Sequence, residues 1–128
     1  MDFDLLHSHL MSKNGATEDM PFGPSTLVFK VVGKMFALIG LDDDPQRINL
    51  KCDPDFAQVL RQRYAGIIPG YHMNKRHRNT VVLDGGVPDD LVVEMIDDSY
   101  NLVVRGLRKA ERRTLQELPD PAEGSPGQ

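Results

Sequence analysis

With 128 residues, 40% hydrophobic and 27% charged, the chain has the composition of one globular domain and is too short for two ordinary ones. Its single cysteine, Cys52, excludes an internal disulfide framework and a multi-cysteine zinc site, and is expected to be a small buried hydrophobe. The net charge of -4 at pH 7 argues against general coating of nucleic acid, and no apolar run approaches the roughly 18 residues of a membrane span.

Taken in order, Phe3, Leu6 and Leu10 recur at helical spacing, and Gly15 is placed to end that segment, which predicts an N-terminal helix. Met1-Asp2-Phe3-Asp4 is acidic where a secretory leader is basic, so the expected location is the cytoplasm. Residues 16–24, ending in Pro21-Phe22-Gly23-Pro24, read as an ordered loop anchored by Phe22. Two β-like runs, 28–32 and 35–39, flank Gly33-Lys34 and predict a hairpin. After the turn at Asp42-Asp43-Asp44-Pro45, residues 47–51 read as a third strand with Ile48 and Leu50 inward, giving an antiparallel meander.

Asp53-Pro54 is a helix start: the aspartate accepts from free N–H groups of the first turn, and proline lacks one that would be unpaired anyway. Phe56, Ala57, Leu60 and Tyr64 supply the predicted inner face, Arg61 and Arg63 favour the C-terminal end of the dipole, and Gly66 closes the segment. Residues 80–83 read as a further strand. From Pro88-Asp89-Asp90 onward, Leu91, Met95, Ile96, Tyr100, Val103, Val104 and Leu107 predict one long helix with an interruption near Gly106. Residues 1–118 therefore form the expected domain, and 119–128, rich in Pro, Gly and Ser with nothing to bury, the expected disordered tail.

Charge is unevenly spread. Residues 51–80 carry a net +4 in an acidic chain, and the densest part is the run His72, Lys75, Arg76, His77 and Arg78 that follows Pro69-Gly70-Tyr71. A cluster of this kind stays at the surface, where it offers donors to a phosphate backbone, with Tyr71 as a ring on which a base can stack. A second basic series, Arg105, Arg108, Lys109 and Arg112, falls along one broad helical face if the helix continues that far, an arrangement that also compensates the dipole.

The order of local motifs resembles the MmcQ/YjbR family of small bacterial proteins. The likeness rests on Phe22-Gly23, Phe29-Lys30-Val31 with Gly33-Lys34-Met35-Phe36-Ala37, Asn49-Leu50-Lys51-Cys52, Pro69-Gly70-Tyr71-His72-Met73-Asn74-Lys75, His77 with Asn79-Thr80-Val81, and Ser99-Tyr100. What the resemblance implies is a single α+β domain, an antiparallel sheet packed against helices and similar to the frataxin-like CyaY fold. It also implies DNA binding, for which a double-wing arrangement is proposed in the family. One position departs from the family pattern: Arg78 stands where a Trp is common, which adds a phosphate donor and removes a stacking or packing group.

The expected contact set is therefore Tyr71, His72, Asn74, Lys75, Arg76, His77 and Arg78, with Lys34 and Lys51 as outliers. The expected partner is DNA contacted with low sequence specificity; the competing reading is a protein-interaction module that binds an acidic partner or self-associates through the same face. No cofactor is expected. The histidine pairs His72/His77 and His7/His9 and the short acidic runs match no zinc or calcium ligand spacing. No nucleophile or phosphate-cradle motif is present either, so a non-catalytic protein is expected.

Overall fold

The computed structural model describes residues 1–70 and 77–118. In chain order the elements are α1 (Phe3–Met11), β1 (Ala16–Asp19), β2 (Thr26–Val31), β3 (Lys34–Gly40), β4 (Arg47–Lys51), α2 (Pro54–Arg63), β5 (Ile67–Pro69), β6 (Arg78–Val82), α3 (Asp89–Arg105) and α4 (Lys109–Glu117). The strands form one antiparallel sheet in the order β1-β2-β3-β4-β6-β5. The α+β class and the β2-β3-β4 meander are as the sequence predicts.

Side-chain alternation divides the sheet into two unlike faces. Leu27, Phe29, Val31, Ala37, Ile39, Ile48, Leu50, Val81 and Ile67 face one way and join buried residues of all four helices in a single core. From α3 come Val92, Met95, Ile96, Tyr100 and Val103; α1 gives Leu6 and Leu10, α2 Ala57 and Leu60, and α4 Leu115. Registers Val28↔Leu38, Leu38↔Asn49 and Asn49↔Thr80 set a row of residues on the opposite face, which none of the described helices covers. Val28 is buried, yet stands outside the helix-side core.

Two local devices shape this sheet. The β2-β3 connection is the two-residue turn Val32-Gly33, both at positive φ (48° and 76°), the backbone sense that matches hairpin twist; glycine takes it freely, whereas valine is unusual there. Further along, Phe29 pairs with Ala37 and Lys30 with Met35, so Phe36 is an extra residue in β3. That bulge turns the Phe36 ring inward, where it meets Tyr100 edge-on at 5.4 Å.

Three expectations need correction. Residues 16–19 form the edge strand β1, pairing Ala16 with Val31 through Asp19 with Val28, where a loop was predicted; their Thr, Glu and Asp content hides an edge strand that has one wet side. Phe22 is no anchor, since it is 71% exposed. On α2 the burial falls on Ala57 and Leu60, while Phe56 is 40% exposed. The interruption expected near Gly106 is present: α3 stops at Gly106, and Arg108 begins α4 with its N–H donating to Glu111 Oε1 at 2.9 Å. The break also disperses the second basic series. Arg108 is engaged by Glu111, and the Arg112 guanidinium donates to the Arg105 carbonyl across the joint. The expected tail, 119–128, lies outside the described residues.

Candidate functional site

β4 and β6 are central strands, and Lys51 and Arg78 are direct cross-strand partners on the face opposite the helices. Each is held by the backbone around it. The Lys51 N–H donates to Ser99 Oγ at 2.9 Å, and that hydroxyl donates to the Phe36 carbonyl at 2.6 Å, so one buried serine ties β4 to the β3 bulge. The Lys51 ammonium has no ion-pair partner among the described residues.

Arg78 is partly buried, and its Nη2 donates to the Met35 carbonyl at 3.3 Å while Nη1 has no partner. Burial pushes its pKa below the ordinary value, although a guanidinium of this basicity stays charged at neutral pH. This chain thus places a planar cation across β3 and β4. The β5 backbone comes close enough that a Cβ on Gly70 would lie 2.6 Å from Arg78 Cβ and 3.1 Å from Asn49 Nδ2. Only glycine fits this approach; its N–H donates to the Arg78 carbonyl at 2.9 Å.

Strand alternation puts Lys30, Arg47, Lys51 and Arg78 on this face, with Asp19 as the acid from the same set of strand positions. Lys30 lies 3.9 Å from Asp19. Lys34, at the hairpin, sits 4.0 Å from Glu111 of α4, which draws it away from Lys51 and Arg78. His77 is partly buried, and its carbonyl accepts from the Cys52 N–H at 2.7 Å. Tyr71, His72, Asn74, Lys75 and Arg76 lie outside the described residues, between Gly70 and His77.

Beside this cationic row the same face contains a cleft of about 550 Å³, lined by Phe22, Ser25, Thr26, Leu38, Gly40, Asp42, Asp43, Arg47, Asn49 and Thr80. Asn49, 5% exposed, donates from Nδ2 to Thr80 Oγ1 at 3.3 Å, and its Oδ1 has no hydrogen-bond partner. Sequence reasoning assigned none of these cleft residues a binding role, because polar positions in β4 and β6 carry no charge signal. Their one trace was membership in the Phe22-Gly23, Asn49-Leu50-Lys51 and Asn79-Thr80 motifs.

Other titratable groups are tied up elsewhere. His7 Nε2 is 2.6 Å from Glu18, and His9 Nε2 is 2.8 Å from Asp97, which Lys13 also contacts at 2.5 Å. Among the described residues, no three His, Cys, Asp or Glu side chains converge on a point that could hold a metal ion. No described helix is long and apolar enough to cross a membrane. Cys52 is buried, and its pKa is pushed up to about 11 by burial first and by the negative charges of Asp53 and Asp98 second. We expect its reaction with a disulfide reagent at pH 8 to run about 100-fold slower in the native protein than in guanidinium, because the thiolate is the reacting form. Equal rates in a stopped assay would contradict this placement.

Comparison with known proteins places this arrangement in a family. The family model described as YjbR matches residues 11–102, spanning the sheet, the cationic row and most of α3. The chain belongs to the YjbR family. Among YjbR-type relatives, the uncharacterized protein YbdF of Escherichia coli O157:H7 is 42% identical over 96 residues, 75% of this chain and 79% of that protein. The uncharacterized protein YjbR of Escherichia coli K12 is 31% identical over 118 residues, 92% of this chain and 100% of that one. Among solved structures, the Deinococcus radiodurans protein DR2400, described with a DUF419 domain, has a TM-score of 0.83 and 45% identity, covering 94% of this chain and 91% of its own. A Pseudomonas syringae protein matches with a TM-score of 0.69 and 30% identity, over 80% and 98%. The resemblance read from the motifs and the α+β sheet-and-helix architecture both stand with the YjbR family.

Proposed function

We propose that this chain is a non-catalytic DNA-binding protein that contacts phosphates through the helix-free face of its sheet and the basic stretch between Gly70 and His77. The observation that carries the reading is the cross-strand pair Lys51 and Arg78. Two cations are fixed side by side on central strands, on a face where Lys30 and Arg47 add positive charge, and Arg78 closes the most basic run of an acidic chain. Fixed backbones under these side chains reduce the ordering cost of gripping a regular phosphate array. A non-catalytic role is supported by the two best nucleophile candidates: Cys52 is held as a thiol, and the Ser99 hydroxyl is occupied by two backbone groups.

Fluorescence anisotropy with a labelled oligonucleotide at several salt concentrations tests the reading. Phosphate contacts give a log–log salt slope of about -0.9 per contact on duplex and about -0.7 on single strands. The Lys51→Gln variant is expected to flatten the single-strand slope by about 0.7, and Lys75→Ala/Arg76→Ala by about twice that. Absence of binding at low salt overturns the proposal. Equal binding of polyglutamate would overturn it in favour of an acidic protein partner.

A further inference from the structure

We infer that the cleft around Asn49 is a nucleobase pocket: it takes one unstacked base bearing an exocyclic amino group, such as adenine. This rests on the phosphate-binding reading and deepens it. Three observations on the helix-free face carry the inference.

The first is the unpartnered acceptor. Asn49 is more than nine-tenths buried, and Nδ2 is committed to Thr80 while Oδ1 faces no donor. An amide oxygen left so is a costly arrangement that a ligand N–H resolves. With Nδ2 held by Thr80, the group left over is an acceptor. An acceptor oxygen selects a base that carries an exocyclic amino group, whose N–H it can take.

The second is the shape and lining of the cleft. Its volume of about 550 Å³ suits a nucleoside-sized molecule. Leu38 gives an apolar floor, and Phe22, whose ring is 71% exposed, stands at the wall where a base can stack. Asp42 and Asp43 against Arg47 make the lining slightly negative, which disfavours a phosphate inside and leaves room for a neutral base with its sugar hydroxyls toward the carboxylates.

The third is spacing. Asn49 and Lys51 are two residues apart on β4, and Thr80 and Arg78 two apart on β6, so the cationic pair sits about 7 Å along the strands from the amide. A base seated at Asn49 therefore keeps its own phosphate within reach of Lys51 and Arg78. The base can come from a free mononucleotide or from a single strand; both offer the same edge.

The test compares an oligodeoxyadenylate with an abasic strand of equal length and charge by anisotropy. Adenosine monophosphate is titrated separately into ¹⁵N-labelled protein, with the Asn49 side-chain NH₂ and the Thr26, Leu38 and Gly40 amides as reporters. We expect the adenylate strand to bind about tenfold tighter than the abasic one. Phe22→Ala, at an exposed position, and Asn49→Leu are each expected to remove that difference while leaving the salt slope unchanged. Shifts with the mononucleotide alone identify a free nucleotide as the ligand; shifts only with the strand identify the strand. If both strands bind equally with the salt slope intact, the pocket is refuted and the phosphate reading survives. If neither strand binds, the phosphate reading fails; reporter shifts with the mononucleotide would then keep the pocket. Reporters unmoved by every ligand overturn the inference.

Discussion

Phe36→Ala is expected to destabilise the domain by about 4 kcal/mol, the largest effect of any single side-chain truncation proposed for this chain. The ring is fully buried, lies edge-on to Tyr100 at 5.4 Å and sits 6.4 Å from Phe29, so its loss leaves a cavity at the centre of the sheet-helix layer. It is also the extra residue of the β3 bulge, and an alanine there removes the group that holds the bulge turned inward. Against a total stability of about 5–15 kcal/mol for a domain of ordinary size, such a loss removes a large share. Urea denaturation should show a lower midpoint with an unchanged m-value. Phe36→Leu, which retains most of the volume, should cost no more than about half as much. Equal losses for both variants would show that ring geometry rather than cavity volume dominates.

Ser99→Ala is expected to cost about 3 kcal/mol although it removes one oxygen atom. That oxygen is fully buried and serves two backbone groups at once, accepting from the Lys51 N–H and donating to the Phe36 carbonyl. Alanine orphans both in a place that other donors and acceptors do not reach, and an unmade buried hydrogen bond costs more than a made one contributes. Hydrogen exchange gives the specific readout: the Lys51 amide should lose protection beyond the global change, while amides of β1 should not. Uniform loss along the sheet would mean that Ser99 acts only through bulk packing. Because Lys51 belongs to the proposed phosphate row, the same variant should weaken oligonucleotide binding even at temperatures where it remains folded.

Elements with strong periodicity or strong punctuation were readable from sequence. The β2-β3 hairpin follows from two β-rich runs around glycine, and α2 follows from Asp53-Pro54, whose carboxylate does accept from the Asp55 and Phe56 N–H groups. β1 was hidden because Thr17, Glu18 and Asp19 carry no alternating apolar signal; it pairs through backbone groups, which every sequence supplies. β5 was hidden by its length of three residues. Gly106 announced the break in the last helical region, but not the restart of α4, which depends on how Arg108 and Glu111 satisfy its N-terminus. Within the candidate site, Lys51 and Arg78 were legible as charges but not as cross-strand neighbours, since register is a long-range property. Asn49 was legible only as part of a motif. What gives it chemistry is the pairing with Thr80, 31 positions away, and the lack of a donor at its oxygen.

The two rims of the sheet bear on how the molecule meets others. β1 forms one rim and presents the charged pair Glu18 and Asp19 along a strand of four residues; β5 forms the other and ends in Pro69, which has no N–H to give. Short, charged or proline-ended rims are poor templates for lateral strand addition. A second copy or an extended peptide therefore gains little by lengthening the sheet, and growth into ribbons or fibres from the folded state is suppressed at both sides. A partner that binds well must come down onto the broad face instead, so encounters are steered by charge and shape there rather than by open backbone.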